Sequence, residues 1–218
     1  FETFAKDKVQ YPFGYGISYT TFEKEIVSYN TDADKVRVDV KVTNTGKVDG
    51  KDVVQIYYCP PYNEGGTEKS AICLSGYAKT DLLKPNESQV VTVEFDFYDM
   101  MSYDKDNLEA WILEKGDYKI VLGENVREHI DSFTFTVEED VVVKNDTASG
   151  NEIKNLFGFA YTDFTILSRA DVNGTYPEAR VLTATEEILN PDEYPAPVTF
   201  GEAPEMAVEY DETIMLQD

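Results

Sequence analysis

Hydrophobic and polar residues alternate with a period of two from residue 22 to about residue 139, a pattern typical of half-buried β-strands. In the run VRVDVKV (36–42), four valines fall on one face and three charged residues fall on the other. The run QVVTVEFDF (89–97) alternates in the same way, whereas DVVQIYY (52–58) indicates a more fully buried strand. Further strands are predicted over residues 71–81, 117–123 and 132–139.

Turn-forming sequences separate these strands. NTGKVDG (44–50) contains Asn44, Gly46 and Gly50, which tolerate positive φ, and LKPNES (83–88) is a second turn. Short strands that each have one apolar face are what a two-sheet sandwich requires. The predicted fold class is therefore all-β: an immunoglobulin- or fibronectin type III-like two-sheet antiparallel sandwich over residues 22–140, with extended N-terminal and C-terminal segments.

Three features inside the sandwich region carry predictions of their own. Residues 98–107 break the alternation, which indicates a short turn of helix. Trp111, the only tryptophan, is predicted as a core plug between the two sheets. Tyr118 lies near the start of a late strand, the position of a tyrosine corner in sandwich folds.

An aromatic segment, YPFGYGISYTTF (11–22), precedes the first strand. Pro12 and two glycines disfavour a helix, so we predict an irregular, extended segment that is stable only when another surface covers its rings. Two alternatives remain open: the rings cap this domain's own sheet, or they pack against a neighbouring domain. The residues concerned are Tyr11, Phe13, Tyr15, Tyr19 and Phe22.

The alternation stops after residue 143, and the remaining residues are acidic and rich in turns. Residues 190–206 contain four prolines and no periodicity, which is typical of an extended connector. A dense apolar cluster lies at 155–167, and a disordered linker would not retain it. We expect 155–167 to fold back on the sandwich or to cover the aromatic segment, while 190–218 stays extended.

Charge and cysteine content narrow the class of protein. The formal net charge of −23 argues against nucleic-acid binding through a basic surface and against binding to an anionic membrane. No apolar run reaches the length of a transmembrane helix.

The two cysteines, Cys59 and Cys73, flank a loop-like stretch, and either a disulfide or two reduced thiols is geometrically conceivable. So few cysteines favour reduced thiols, and we expect a cytoplasmic protein.

The sequence contains no recognisable catalytic site. His129 is the only histidine, and neither a nucleophile elbow nor a phosphate-binding glycine loop is present. Asp104 and Asp106 suggest a calcium loop, but the glycine and the distal glutamate of such a loop are missing. The expectation is therefore no catalytic residue, no cofactor and no metal.

Several ordered motifs resemble glycoside hydrolase family three, the β-glucosidases and β-xylosidases, over about residues 11–137. They are YPFGYGISYTTF, VDVKVTNTGKVDGKDVVQIYY, LSGYAKTDLLKPNES, VTVEFDF and EKGDYKIVLG. The resemblance implies that residues 1–21 form a junction segment from a preceding α/β sandwich domain. It further implies a fibronectin type III-like sandwich at 22–140. The acidic residues 141–218 would then form a connector toward a (β/α)8 catalytic barrel, as in members with inverted domain order.

The resemblance also implies a function. The family's nucleophile is an aspartate in an SDW-like barrel motif, which this sequence lacks; ILSRAD (166–171) does not match it. We therefore expect a non-catalytic accessory module that braces the other domains of a hydrolase of terminal β-glucosides or β-xylosides. The rings of the aromatic segment would pack at the domain junction. The alternative is a carbohydrate-binding module that uses exposed aromatic side chains.

Overall fold

The computed structural model describes residues 5–32, 34–156 and 165–176. Ten strands lie within these ranges: β1 Phe22–Asn30, β2 Lys35–Asn44, β3 Val53–Cys59, β4 Cys73–Lys79, β5 Ser88–Asp96, β6 Ser102–Asp104, β7 Ala110–Leu113, β8 Gly116–Gly123, β9 His129–Val137 and β10 Val141–Val143. The helical elements in the described part are short: two 3-10 turns, Lys6–Lys8 and Phe97–Met100, and α1, Val172–Thr175.

Two antiparallel sheets form the sandwich. One has the strand order β1-β2-β5, and the other has the order β4-β3-β8-β9. Residues from β2, β3, β5 and β8 share one core cluster, so the two sheets pack face to face. The prediction of an all-β, two-sheet antiparallel sandwich is therefore confirmed. A small third sheet, β10-β7-β6, is added to it, and β10 extends strand pairing to Val143.

The predicted alternation accounts for the core. The four valines of β2 are completely buried, and three of them pair in register with the buried apolar residues of β5, while Val42 pairs with Gln89. Burial of such side chains stabilises the fold by about 1.5–3 kcal/mol each. The core residues of these two strands are Val36, Val38, Val40, Val42, Val91, Val93 and Phe95.

The predicted position of Trp111 is wrong. Trp111 is half-buried in β7, which pairs with β6 and β10 rather than with the strands of the sandwich. Its ring contacts Tyr103 edge-on, with the ring centroids 5.6 Å apart.

The prediction of a tyrosine corner, in contrast, is confirmed. Tyr118 is buried at the start of β8, and its hydroxyl donates a hydrogen bond to the carbonyl oxygen of Glu114, four residues upstream, at 3.1 Å.

The two cysteines are free thiols on opposite faces of the four-stranded sheet. Cys73 packs against the sandwich core, whereas Cys59 packs against a separate cluster that contains Tyr57. Burial raises the pKa of the Cys59 thiol. The structure therefore agrees with the expectation of reduced thiols.

The loop between β3 and β4, residues 60–72, contacts the segment 165–176. The backbone N–H of Arg169 donates to Glu68 Oε1 at 3.0 Å, and the Arg169 guanidinium carbon lies 4.1 Å from the centre of the Tyr62 ring. The expected fold-back of 155–167 falls mainly on residues 157–164, which lie outside the described part of the chain.

Candidate functional site

The backbone of the aromatic segment is bonded to the outer face of the four-stranded sheet. The N–H of Val126, in the loop between β8 and β9, donates to the carbonyl oxygen of Phe13 at 3.0 Å. The side-chain amide of Gln55, on β3, donates to the carbonyl oxygens of Gly14 and Glu124 at 3.0 and 2.9 Å. These bonds fix the path of the segment across the sheet.

A small apolar cluster lies beside this part of the segment, on the outer face of the sheet. Tyr57 is completely buried there, and its hydroxyl donates to Gln55 Oε1 at 2.6 Å. Gly14 has a φ of +82°, and a Cβ built on it would lie 2.2 Å from Gln55 Oε1. Only glycine allows the backbone to approach this closely. The cluster consists of Tyr57, Val121 and Val126, with Cys59, Ile72 and Leu74 packed against it.

The end of the aromatic segment is bonded to the NTG turn. Asn44 is completely buried, and its Oδ1 accepts hydrogen bonds from Thr20 Oγ1 at 2.8 Å and from the Gly46 N–H at 3.0 Å. The Thr21 carbonyl oxygen accepts from the N–H groups of Thr45 and Gly46. The turn sequence and the aromatic segment therefore form one hydrogen-bonded unit.

The rings of the segment divide into two groups. Phe22, the first residue of β1, is half-buried and packs against the sandwich core. The others stay exposed: Tyr11 by 63%, Phe13 by 57%, Tyr15 by 49%, and Tyr19 completely. The backbone of the segment therefore covers the sheet while four rings face outward, and the packing of these rings against a neighbouring domain stays a prediction.

A buried cation that the sequence analysis missed lies next to the segment. Lys24, on β1, is only 5% exposed, and its Nζ lies 3.0 Å from Asp52 Oδ2 and 2.7 Å from Glu124 Oε2. It also donates to the carbonyl oxygen of Val53 at 3.3 Å, so it connects the two sheets. The sequence contains part of the information needed to find Lys24, because alternation from Phe22 places it on the inward face of β1.

An open groove of about 630 Å³ lies between the aromatic segment and strand β4. Residues 13–18 line it together with Leu74, Tyr77 and Lys79 of β4, and Lys24 and Asp52 are also among its lining residues. The sequence alone gives no indication that β4 lies beside the aromatic segment. Large apolar rings beside paired charges suit the binding of another surface more than they suit acid–base chemistry.

The described part of the chain contains few other side-chain groups that are candidates for catalysis or metal binding. No group of three or more His, Cys, Asp or Glu side chains there is placed to hold a metal ion. His129 is exposed at the start of β9. The Asp104 carboxylate accepts hydrogen bonds from the N–H groups of Asp106 and Asn107, so it shapes a turn. Among the described helices, none has the length and apolar character needed to cross a membrane.

The glycines of the aromatic segment give a matched test of this geometry. Gly14→Ala places a Cβ at positive φ against Gln55, whereas a Cβ at Gly16 meets nothing within 4 Å. We expect Gly14→Ala to lower the free energy of unfolding by about 1–3 kcal/mol, and Gly16→Ala to leave it nearly unchanged. Urea denaturation of both variants measures this. Equal stabilities would contradict the described path of the segment.

The buried tyrosine of the outer cluster predicts a pH dependence. Burial raises the pKa of Tyr57 to about 12, from about 10 in an unfolded chain. The folded state therefore favours the neutral phenol, and this contribution is complete below about pH 10 and is lost as the pH rises through about 12. Between these values we expect the wild-type chain to lose more stability than Tyr57→Phe. Denaturation measured across that range tests it, and parallel curves would contradict it.

Comparison with known proteins is consistent with this fold. Residues 52–126 match the family model for the fibronectin type III-like domain. The chain is 44% identical over 165 residues to β-glucosidase A of Butyrivibrio fibrisolvens, and the match covers 66% of this chain and 20% of that protein. It is 39% identical over 182 residues to a β-glucosidase of Ruminococcus albus, covering 78% of this chain and 19% of that protein.

A solved β-glucosidase structure also resembles this chain in fold and sequence. The β-glucosidase of Paenibacillus barengoltzii superposes with a TM-score of 0.61 at 38% identity, over 66% of this chain and 17% of that one. The chain thus spans about a fifth of the length of the relatives it matches. Residues 52–126 match a fibronectin type III-like domain, and the chain resembles in sequence and fold a part of family-three β-glucosidases.

Proposed function

We propose that this chain is a non-catalytic accessory module that braces neighbouring domains of a family-three glycoside hydrolase. The proposal rests on the difference between the backbone of the aromatic segment, which is bonded to the sandwich, and its rings, which are exposed. Its backbone carbonyl oxygens accept hydrogen bonds from the sandwich at Phe13, Gly14 and Thr21. The rings of Tyr11, Phe13, Tyr15 and Tyr19 nevertheless remain exposed. A rigid backbone that holds large rings outward is suited to contact with a second folded surface.

In this proposal the module belongs to a longer enzyme that hydrolyses terminal β-glucosides or β-xylosides. Residues 1–21 lead in from an α/β sandwich domain, and residues 141–218 lead toward a (β/α)8 barrel. The match to the Ruminococcus albus enzyme covers 78% of this chain, more than residues 1–140 alone could supply. That match therefore includes part of the connector, which supports its assignment to the same kind of enzyme.

The proposal predicts that the isolated chain has no glycosidase activity. The two carboxylates of the groove, Asp52 and Glu124, are both held by Lys24, and the proposal assigns the chemistry to a pair of carboxylates in the barrel. Aryl β-glucoside and aryl β-xyloside assays of the purified chain, beside the full-length enzyme as the positive control, should give turnover only for the full-length enzyme. Turnover that co-elutes with the isolated chain would contradict the proposal.

A carbohydrate-binding module is the alternative, and one observation favours it. The rings of Tyr11 and Tyr15 are exposed and lie 5.2 Å apart, which offers aromatic surface for a sugar. Calorimetric titration of the isolated chain with cellobiose, xylan and β-glucan distinguishes the two functions. The bracing function predicts no binding. Binding that is abolished by Tyr15→Ala, but kept in Tyr98→Ala, would establish the alternative.

A further inference from the structure

The groove beside the aromatic segment has a second wall from a distant part of the sequence. Tyr77, on β4, lines the groove and is 70% exposed. It pairs directly opposite Gln55 of β3, and Gln55 is the residue whose amide holds the Gly14 carbonyl. Directly opposed residues of an antiparallel pair lie on the same face. Gln55 therefore places Tyr77 and the aromatic segment beside each other.

The charge that remains uncompensated in this groove is positive. Its two carboxylates, Asp52 and Glu124, share Lys24 as their counter-ion, and with three lysines in the lining the formal charge of the groove is +1. Lys51 and Lys79 also line the groove and are exposed, and neither forms an ion pair within the described residues. This local charge is opposite in sign to the net charge of −23 of the whole chain.

We propose that the groove between the aromatic segment and β4 docks a neighbouring domain of the same polypeptide, through a surface with an apolar centre and carboxylates facing Lys51 and Lys79. This inference rests on the proposed bracing function and extends its surface to β4. Tyr77 supplies the second apolar wall, and the two lysines lie at the rim, as is usual for polar groups in protein interfaces. Acidic groups opposite these lysines would fix the orientation of the docked domain.

Two observations favour a domain of the same polypeptide as the occupant. About four-fifths of the length of the matched relatives lies outside the region that this chain covers, so further protein is available to fill the groove. The groove is also continuous with the aromatic segment, since residues 13–18 form one of its walls. Interfaces between domains of one chain typically bury about 600–1,500 Å², which suits a surface that combines the segment with β4.

Charge reversal tests the chemistry of the docked surface. In the full-length enzyme, Lys51→Glu combined with Lys79→Glu should lower the melting temperature by at least about 3 °C, because like charges would then face each other. The same double variant of the isolated chain should melt within about 1 °C of wild type. Lys144→Glu, at an exposed lysine outside the groove, is the matched control and should change neither protein. Equal shifts for the double variant and the control in the full-length enzyme would overturn the inference.

Hydroxyl-radical footprinting of Tyr77 separates this inference from the proposed function. We expect Tyr77 to be oxidised several-fold more slowly in the full-length enzyme than in the isolated chain. If Tyr11, Tyr15 and Tyr19 are protected and Tyr77 is not, the inference fails while the bracing function stands. If none of the four is protected, both fail. Protection of Tyr77 in the isolated chain by cellobiose, or by self-association at higher protein concentration, would overturn the choice of occupant.

Discussion

Asn44→Ala is expected to lower the free energy of unfolding by about 3 kcal/mol, the largest effect of a single truncation at the junction between the sandwich and the aromatic segment. The Asn44 side chain is completely buried. Its amide donates to the carbonyl oxygens of Val48 and Leu83, both at 2.8 Å, and its Oδ1 accepts from Thr20 and Gly46. Alanine removes all four of these hydrogen bonds and takes from the Val48 carbonyl oxygen the amide that donates to it.

Two further variants give this prediction its controls. Asn44→Asp keeps an acceptor but loses the amide donor, so a carboxylate would face the carbonyl oxygens of Val48 and Leu83. Its cost should shrink as the pH falls, because a protonated carboxyl group can donate to one of them. Thr43→Ala removes only an exposed hydrogen bond to Ser88 and should cost less than about 1 kcal/mol. Equal urea midpoints for Asn44→Ala and Thr43→Ala would contradict the assigned role of Asn44.

Lys24→Met is expected to cost about 3 kcal/mol, because it leaves a carboxylate without its counter-charge. Asp52 Oδ2 is buried and accepts no hydrogen bond, and Lys24 Nζ lies 3.0 Å from it. Glu124 is 45% exposed in its side chain and can turn to water, whereas Asp52 is 19% exposed in its side chain. The cost should therefore arise mainly at Asp52. Methionine retains most of the volume of the lysine side chain, so packing changes little.

The control for Lys24 is an exposed ion pair on the same strand pair. Lys41 and Glu25 form it at 2.8 Å, with both side chains largely in solvent. Lys41→Met should therefore cost no more than about 1 kcal/mol. Denaturant unfolding of both variants measures the difference. If Lys24→Met is as mild as Lys41→Met, Lys24 does not hold the two sheets together in the way that its contacts indicate.

Periodicity predicted the strands that bury one face, and it could not predict the short ones. The valines of β2 (36–42) lie inward as the period of two requires, and so do Val91, Val93 and Phe95 of β5. Strands β6 and β10 contain three residues each, too few to establish a period, and their pairing with β7 depends on tertiary structure. The same pairing explains the wrong prediction for Trp111, since residue type favoured the core while the third sheet placed Trp111 at its own surface.

The candidate site was predictable only as far as it is contiguous in sequence. Proline, glycine and ring spacing identified the aromatic segment, but the outward position of its rings depends on bonds to Gln55 and Asn44, which are distant in the chain. The contributions of Tyr77 and Asp52 follow from strand register and from the position of Lys24. No local pattern contains that information, because it arises when β3 pairs with β4 and β1 approaches the start of β3.

If the module braces neighbouring domains, the rings of the aromatic segment are exposed in the isolated chain and covered in the full-length enzyme. Hydroxyl-radical footprinting with mass spectrometry measures this directly at Tyr11, Tyr15 and Tyr19, while completely buried Tyr57 serves as the internal reference in both samples. We expect fast oxidation of the three tyrosines in the isolated chain and several-fold slower oxidation in the full-length enzyme. Equal oxidation of these tyrosines in the two proteins would contradict it.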